Sequence, residues 1–206
     1  MKGLECYLVG GAVRDRILKR SIGDRDWVVV GSSPEEMMSL GFHPVGKKFP
    51  VYLHPETKEE YALARRETKV SKGHLGFEVD ASSTVTLEED LLRRDITINA
   101  IAENSDGDLI DPYDGLTDIK NKVIRHVSEA FAEDPLRVFR VARFMAELSD
   151  FKVADETHSL ILEMSQSGAL GELSAERVRT EMIKALESEN PQLFFENMLI
   201  DFCEAA

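Results

Sequence analysis

Two aspartates separated by one residue, Asp24 and Asp26, are the first side chains in this sequence whose type and spacing could do chemistry. They run directly into the apolar stretch WVVV at 27–30, which predicts a buried strand. Side chains alternate faces along a strand, so both carboxylates should point the same way. Carboxylate oxygens gathered on one face are suitable ligands for Mg²⁺. An acidic turn before a strand is the commoner interpretation of so short a pattern, so the surrounding sequence must decide.

A third carboxylate is predicted from the segment that follows. Residues 46–66 predict a loop, a strand, a turn and a second strand, and Glu60 stands near the start of that second strand. A hairpin of this kind would bring Glu60 close to Asp24 and Asp26. Many hairpins begin with exposed acids, so the residue type alone leaves both possibilities open.

A pair of glycines, Gly10 and Gly11, separates a short apolar strand from a stretch with helical spacing. A strand, a glycine turn and a helix N-terminus together present backbone N–H groups to an anion. Arg14, one turn into the helix, would add a phosphate contact. The lysine of a Walker loop is missing, so the sequence does not predict a P-loop ATPase. The alternative is a tight turn and a surface arginine.

A capping-box pattern at residues 86–89 predicts the start of a helix, which we expect to continue to residue 101. This helix would carry an unusually polar group, Arg94, Asp95 and Asn99, within an otherwise apolar sequence. Asp95 and Asn99 lie one turn apart and should share a face. The group predicts contacts to a sugar and a phosphate, and a solvated helix edge is the alternative.

A second set of charged residues follows the helix-starting Pro135. Asp134, Arg137, Arg140 and Arg143 recur every three residues, so on a helix they would form one polar arc. Large apolar residues interleave with them, and the sequence offers no matching set of acids. We therefore favour anion binding over a surface ladder of salt bridges.

The elements that must position these side chains fall into two segments. Residues 1–127 alternate short strands and helices, with a loop predicted at 67–84 because that segment is rich in Lys, Ser, Gly and Thr. Residues 128–206 predict almost only helices. We therefore expect two domains, 1–127 and 128–206.

Composition narrows the class of protein. The 206 residues are 43% hydrophobic and 31% charged, which is typical of a globular protein. The net charge of −13 argues against broad, non-specific binding of nucleic acid, which requires many neutralised phosphates. No apolar run is long enough to span a bilayer and the sequence predicts no signal peptide, so we expect no membrane partner. Cys6 and Cys203 have no metal-type spacing and predict free thiols in a reducing cytoplasm.

Five motifs occur in a fixed order along the chain. They are LVGGAVRD at 8–15, DRD at 24–26, RRDITINA at 93–100, DPYDG at 111–115 and EDPLR at 133–137. In this order they resemble the successive motifs of class II tRNA nucleotidyltransferases, which comprise the bacterial-type CCA-adding enzymes and bacterial poly(A) polymerases. The resemblance covers nearly the whole chain. It implies an α+β fold, with a DNA polymerase β-like head, in which helices flank a mixed sheet, followed by an all-helical neck.

The resemblance also implies an activity: template-independent addition of C, C and A to the 3′ end of tRNA, from CTP and ATP, with Mg²⁺. Carried over by position, it assigns Asp24 and Asp26 to Mg²⁺ and Glu60 to the third carboxylate. It assigns triphosphate contacts to Gly11 and Arg14.

The other assignments concern the nucleotide. The resemblance gives phosphate and ribose contacts to Arg94, Asp95 and Asn99, base contacts to Asp134 and Arg137, and phosphate contacts to Arg140 and Arg143. A carboxylate and a guanidinium suit cytosine and adenine, because both bases show an amine beside an acceptor on their pairing edge. Uracil and guanine reverse that pattern and would leave polar groups unpaired.

Family members continue past this length into regions that grip tRNA. The sequence therefore predicts a chain truncated to head and neck, with weakened tRNA binding and intact nucleotide binding. Three alternatives stay open: a poly(A) polymerase, an enzyme that adds only CC or only A, and a nucleotide-binding module without turnover.

Overall fold

A computed structural model describes residues 3–46, 51–69 and 77–201 of the chain. It contains two compact units: the described parts of residues 1–68 and 78–119 form the first, and those of residues 69–77 and 120–206 form the second. The domain boundary predicted at residue 127 stays a prediction, and Cys203 lies outside the described residues. Across the three described ranges, no helix is both long and apolar enough to cross a membrane.

The strands up to residue 110 are short and separated by tight turns or helices. In chain order they are β1 (Glu5–Val9), β2 (Asp26–Val30), β3 (His43–Val45), β4 (Val51–Leu53), β5 (Glu60–Leu63), β6 (Arg66–Lys69), β7 (Phe77–Asp80), β8 (Ala102–Glu103) and β9 (Leu109–Ile110). One mixed sheet has the order β3-β4-β5-β2-β1-β8-β9. The pair β2–β5 is parallel, while β1 pairs antiparallel with β2 and β8. The predicted hairpin is confirmed by the antiparallel pair β4–β5.

The loop predicted at residues 67–84 is wrong at its edges. Strands β6 and β7 form a separate two-stranded sheet, and the residues between them lie outside the described part of the chain. The Lys, Ser and Gly content that predicted a loop does not prevent pairing, because a two-stranded ribbon needs little apolar burial on its exposed face.

The helices up to residue 121 are also short: α1 (Gly11–Ile17), α2 (Pro34–Ser39), α3 (Leu87–Leu92) and α4 (Gly115–Asn121). The capping box predicted at residues 86–89 is present at the start of α3. The predicted continuation of α3 to residue 101 is wrong. The helix ends at Leu92, and Ile96 has an extended backbone whose N–H donates to Asp95 Oδ1 at 2.9 Å. A 3-10 turn, Thr97–Asn99, follows.

The motif DPYDG at 111–115 serves packing in this unit. Asp111 accepts the backbone N–H groups of Gly115 and Leu116, each at 2.8 Å, and so caps the start of α4. A Cβ atom on Gly115 would overlap the carbonyl oxygen of Thr97. Thr97 also donates its hydroxyl to Asp118 at 2.7 Å. The motif thereby holds α4 tightly against the segment that contains Asn99.

The apolar core beside the parallel strand pair is built from residues of the strands, of α2 and of the turn that follows α2. It contains Val29, Met37, Phe42, Tyr52, Tyr61 and Leu63, with Trp27 packed against it. Burial of this cluster stabilises the sheet edge from which β2 and β5 start, because apolar burial is worth about 25 cal/mol per Å².

The second unit is mainly helical, as predicted. Its helices are α5 (Leu136–Glu147), α6 (Asp155–Gln166), α7 (Ala175–Leu186) and α8 (Gln192–Glu196), and the last is followed by a π-helical turn, Asn197–Asp201. One two-residue parallel pair, β10 (Val123–Ile124) with β11 (Lys152–Val153), is an exception to the all-helical prediction.

Helix α5 lies at the centre of this unit, in contact with both α7 and α8. Burial on this helix does not follow the predicted polar arc. Val138 and Ala142 are buried, but Arg143 of that arc is buried as well, with 7% of its surface exposed. A helix that packs against two neighbours buries more than one side, and a charge on a buried side then needs a partner.

Candidate functional site

The sheet edge where β2 and β5 begin brings two predicted carboxylates together. The strands run parallel, and their first residues, Asp26 and Glu60, are register partners. The next partners in register, Trp27 and Tyr61, stack with ring centroids 5.5 Å apart and planes 7° from parallel. Because successive side chains alternate faces, Asp26 and Glu60 point together to the face opposite those rings.

Asp24 lies in the loop before β2, so the prediction that one strand carries both aspartates is wrong. Asp24 nevertheless lines the same open pocket as Asp26 and Glu60, and this pocket has a volume of about 520 Å³. The remaining lining residues are Gly23, Arg25, Thr57, Lys58 and Glu59. Asp24, Asp26 and Glu60 are all exposed to solvent.

The neighbouring acid, Glu59, has a different role. Its Oε2 accepts the indole N–H of Trp27 at 3.0 Å, and its Oε1 lies 3.6 Å from Arg25 Nη1. This hydrogen bond ties Glu59 to the Trp27 side of β5. Of two adjacent glutamates, the structure therefore brings Glu60 and not Glu59 onto the face of Asp26.

The donor chemistry of this pocket fits Mg²⁺. Within the described ranges, no three His, Cys, Asp or Glu side chains form a preformed metal cage. Mg²⁺ does not require one, because it keeps several waters and commonly binds one or two carboxylates together with substrate phosphates. Solvated carboxylates at Asp24 and Asp26 match that mode of binding.

The glycine turn of the first unit is in contact with an arginine. Gly10 has a φ of 74°, and a Cβ there would lie 3.3 Å from Arg94 Nη1. Gly11 starts α1, and a Cβ there would make only an ordinary 3.7 Å contact with Arg14 Nη2. Of the two glycines, Gly10 is therefore the position whose conformation and surroundings require glycine.

Asn99 links the two predicted phosphate-binding arginines. Arg14 Nη1 donates to Asn99 Oδ1 at 3.0 Å, while Arg94 Nη1 donates to the Asn99 backbone carbonyl at 3.5 Å. Arg14 is 6% exposed and also contacts Asp15 at 2.8 Å, so it is a buried arginine and not the surface residue of the alternative interpretation. The structure thus brings Arg14, Arg94 and Asn99 together beside the glycine turn.

Asp95 is hydrogen-bonded to Asn99, although the segment that connects the two residues is not an α-helix. Its Oδ1 accepts from the Ile96 backbone N–H and from Asn99 Nδ2, the latter at 3.4 Å. Asp95 and Asn99 are each 6% exposed. Their predicted proximity is therefore confirmed, although the regular helix expected to produce it is absent.

Asp90 is a charged residue of this region that the sequence interpretation missed. It is fully buried and pairs with Arg93 at 2.7 Å and with Arg94 at 3.2 Å. Burial disfavours its ionised form, but Arg93 and Arg94 outweigh burial and hold the pKa of Asp90 below its usual value. The spacing of three and four residues to two arginines was a detectable signal in the sequence.

In the second unit, Asp134 is paired with an arginine that the sequence interpretation also missed. Arg177 on α7 donates to both carboxylate oxygens of Asp134, at 2.7 and 3.1 Å. Burial opposes ionisation of Asp134, but the hydrogen bonds and charge of Arg177 lower its pKa. Arg137 donates from Nη1 to the carbonyl of Ala130 at 3.0 Å. Nothing in the spacing between residues 134 and 177 predicts this contact.

The arginines of α5 have acidic partners, so the prediction that no acids pair with them is wrong. Arg143 Nε donates to Glu181 Oε2 at 2.6 Å, and Arg143 also pairs with Glu147. Arg140 Nη1 lies 3.7 Å from the other oxygen of Glu181. Both guanidiniums lie over the Phe144 ring, at 5.5 Å for Arg140 and 4.2 Å for Arg143. Glu181 comes from α7, which the local sequence of α5 could not reveal.

Two protein families match the chain. The family described as Poly A polymerase head domain matches residues 6–125, and the family described as Probable RNA and SrmB- binding site of polymerase A matches residues 150–200. The first match covers more than half of the sequence.

Curated relatives are similar over almost the whole chain. The Multifunctional CCA protein of Pseudoalteromonas atlantica is 55% identical over 197 residues, which are 95% of this chain and 49% of that protein. The CCA-adding enzyme of Alteromonas mediterranea is 59% identical over 194 residues, 93% of this chain and 49% of that protein. The chain therefore spans about half the length of these relatives.

Solved structures agree with the predicted fold. The CCA-adding enzyme of Bacillus stearothermophilus in complex with CTP matches with a TM-score of 0.75 and 37% identity, over 91% of this chain and 45% of that one. The Thermotoga maritima CCA-adding enzyme complexed with tRNA matches with a TM-score of 0.73 and 29% identity, over 95% of this chain and 46% of that one. The α+β fold predicted from the sequence is thereby confirmed.

Proposed function

The chain belongs to the class II tRNA nucleotidyltransferase family of CCA-adding enzymes and poly(A) polymerases, and from this premise we propose that it carries out CCA addition. The reaction would add C, C and A to the 3′ end of tRNA, from CTP and ATP, without a nucleic-acid template and with release of pyrophosphate. We assign this activity to the cytoplasm, where tRNA and nucleoside triphosphates occur together.

One observation carries the catalytic part of the proposal. Asp26 and Glu60 are register partners on adjacent parallel strands, and Asp24 lines the same open pocket. All three carboxylates are exposed to solvent and line one pocket. Such a group suits nucleotidyl transfer, in which charge develops on oxygens around phosphorus.

Asp24 and Asp26 would hold Mg²⁺, and Glu60 would be the third carboxylate of the site. When bound, the metal ions stabilise negative charge on the attacking and leaving oxygens of an in-line displacement at phosphorus. Because Asp24, Asp26 and Glu60 line one pocket, they would position the reacting 3′ hydroxyl next to the nucleotide.

The nucleotide would be held by residues of the glycine turn and its surroundings. We assign triphosphate contacts to Gly11, Arg14 and Arg94, because Arg94 lies against the turn and Arg14 is joined to it through Asn99. Asp95 and Asn99 would contact the ribose. The hydrogen bonds that already orient these side chains would reduce the entropy lost when the nucleotide binds.

Base selection would lie with Asp134 and Arg137. A carboxylate accepts from the exocyclic amine of cytosine or adenine, and a guanidinium donates to the acceptor beside it. Arg177 orients Asp134 through two hydrogen bonds, and the Ala130 carbonyl orients Arg137. Arg140 and Arg143 would contact phosphate, and Glu181 would hold both guanidiniums in place until the nucleotide arrives.

Incorporation of labelled CTP and ATP into tRNA that lacks its 3′ end tests the proposal. The assay uses the 206-residue chain, and a fusion of it to the part of the Alteromonas mediterranea relative that lies outside the match, which we call the completed protein. We expect the completed protein to add CCA with Mg²⁺ present and an Asp24→Asn, Asp26→Asn variant to add nothing.

The outcomes separate the alternatives. Repeated addition from ATP alone would identify a poly(A) polymerase, and addition of only CC or only A would identify a partial-adding enzyme. Binding of CTP and ATP by calorimetry without incorporation by the completed protein would identify a nucleotide-binding module and refute the catalytic proposal.

A further inference from the structure

The two carboxylate oxygens of Asp90 have different partners. Oδ1 accepts from Arg93, at 2.7 Å from Nη2 and 3.0 Å from Nε, and from the backbone N–H of Arg65 at 3.2 Å. Oδ2 accepts from Arg94 Nη2 at 3.2 Å. One oxygen of this buried carboxylate thus binds Arg93 and the Arg65 backbone, and the other binds Arg94, to which we assign a nucleotide contact.

The Oδ1 side is a packing arrangement. Arg93 also donates to Glu67 Oε1 at 2.9 Å and to the Arg65 carbonyl at 3.1 Å. Arg65 donates from Nε to the same Glu67 oxygen at 2.8 Å. These contacts join the end of α3 to the start of β6, and none of them involves the guanidinium of Arg94.

The Oδ2 side orients Arg94 at three points. Asp90 binds Nη2, the Asn99 carbonyl accepts from Nη1, and Nη1 approaches the position where Gly10 has no Cβ. A guanidinium is planar, so contacts at both terminal nitrogens define its plane. The side chain of Arg94 remains 18% exposed while that of Asp90 is 0% exposed, so an incoming anion would meet Arg94 and not Asp90.

We propose that Asp90 is a positioning residue that sets the guanidinium of Arg94 for the triphosphate of an incoming nucleotide. This inference rests on the proposed function, because it concerns the same nucleotide site. Asp90 itself contacts no substrate. Its contribution to binding passes through Arg94, so it should disappear when the Arg94 guanidinium is removed.

A double-mutant cycle in CTP binding tests this. Calorimetry with Mg²⁺ present would compare the 206-residue chain with Asp90→Asn, Arg94→Ala and the double variant. We expect Asp90→Asn to weaken CTP binding about tenfold, the value of one charge-assisted hydrogen bond, and the double variant to bind no more weakly than Arg94→Ala. Independent, additive losses would overturn the inference.

A control separates positioning from stability. Arg93→Gln removes a partner of Oδ1 and should lower the melting temperature while CTP affinity stays within about twofold of the original chain. Equal loss of CTP affinity in Arg93→Gln and Asp90→Asn would mean that only the stability of the cluster matters, against the inference. If Asp90→Asn does not fold, Asp90→Glu replaces it in the cycle, since it keeps the charge and displaces the carboxylate.

Failure of this inference and failure of the proposed function give different results. Loss of CTP binding in Arg94→Ala with unchanged binding in folded Asp90→Asn would overturn the inference alone. No CTP binding by the original chain would overturn the proposed nucleotide site and the inference with it.

Discussion

Trp27 donates its indole N–H to Glu59, a carboxylate that lines the same pocket as Asp24 and Asp26. Trp27 is the single tryptophan of the chain. The ring therefore reports on the electrostatics of the pocket without competition from other tryptophans. At the same time, the bond assigns Glu59 to the Trp27 side of the sheet and leaves Glu60 beside Asp26.

The first prediction concerns metal binding. Titration with Mg²⁺ should change the intensity or emission maximum of Trp27 fluorescence. A dication in the pocket changes the electric field at the indole, because the indole is hydrogen-bonded to Glu59, which lines that pocket. The change should vanish in a variant with Asp24→Asn and Asp26→Asn. Glu88→Gln, an exposed acid of α3, is the matched control and should keep the full response. An unchanged titration in the double aspartate variant would exclude these residues as the ligands.

The second prediction compares the adjacent glutamates. In the completed protein, Glu60→Gln should reduce the rate of nucleotide addition by about 10–100-fold, because it removes a carboxylate from the face of Asp26. Glu59→Gln should change the rate by less than about threefold while it shifts the Trp27 emission. Steady-state kinetics with CTP would measure both. Full activity in Glu60→Gln would remove Glu60 from the site and leave the two aspartates untouched.

The third prediction compares the adjacent glycines. Gly10→Ala should destabilise the chain by about 1–2 kcal/mol, because an L-residue is strained at a φ of 74°. It should also weaken CTP binding, since the new Cβ would press on Arg94. Gly11→Ala, in the same turn, should leave the free energy of unfolding unchanged or slightly higher, because alanine is the better residue within a helix. Chemical denaturation and calorimetry would check this, and equal stability of the two variants would contradict it.

The fourth prediction is a pH dependence of stability. Burial raises the pKa of Asp134, but Arg177 outweighs burial and lowers it in the folded state. A lowered pKa contributes stability at pH values above the unfolded pKa, about 3.9, and this contribution is lost as the pH falls towards the folded pKa. Asp134→Asn should therefore lose the most stability relative to the original chain above about pH 5.

Denaturation of both proteins between pH 3 and pH 7 would measure this difference, which should narrow below about pH 4. Glu163→Gln on α6 is exposed and should differ from the original chain by less than about 0.5 kcal/mol across the range. A gap between Asp134→Asn and the original chain that stays constant with pH would show that the carboxylate charge is not the source of the stabilisation.

Local chemistry could be predicted from the sequence where neighbouring residues decide it. The capping box at residues 86–89, the strand over 27–30 and the helix after Pro135 all appear as expected. Caps, β-branched runs and proline act on their own backbone within about four residues, so no distant partner is needed. The same logic failed between residues 93 and 101, where the helix ends at Leu92 and the Asp95 side chain accepts the Ile96 N–H in place of a helical carbonyl.

Taken by itself, the sequence determined which side chains could do chemistry, since residue type and short spacing set the available charges and donors. Only the tertiary structure decided how they are used. It set Glu60 beside Asp26 through the parallel register of β2 and β5, and it joined Arg14 to Asn99 across 85 residues. It also supplied Arg177 and Glu181 as partners of Asp134 and Arg143. Such contacts depend on packing between segments that are distant in the chain, and a local sequence pattern does not show which distant segments pack together.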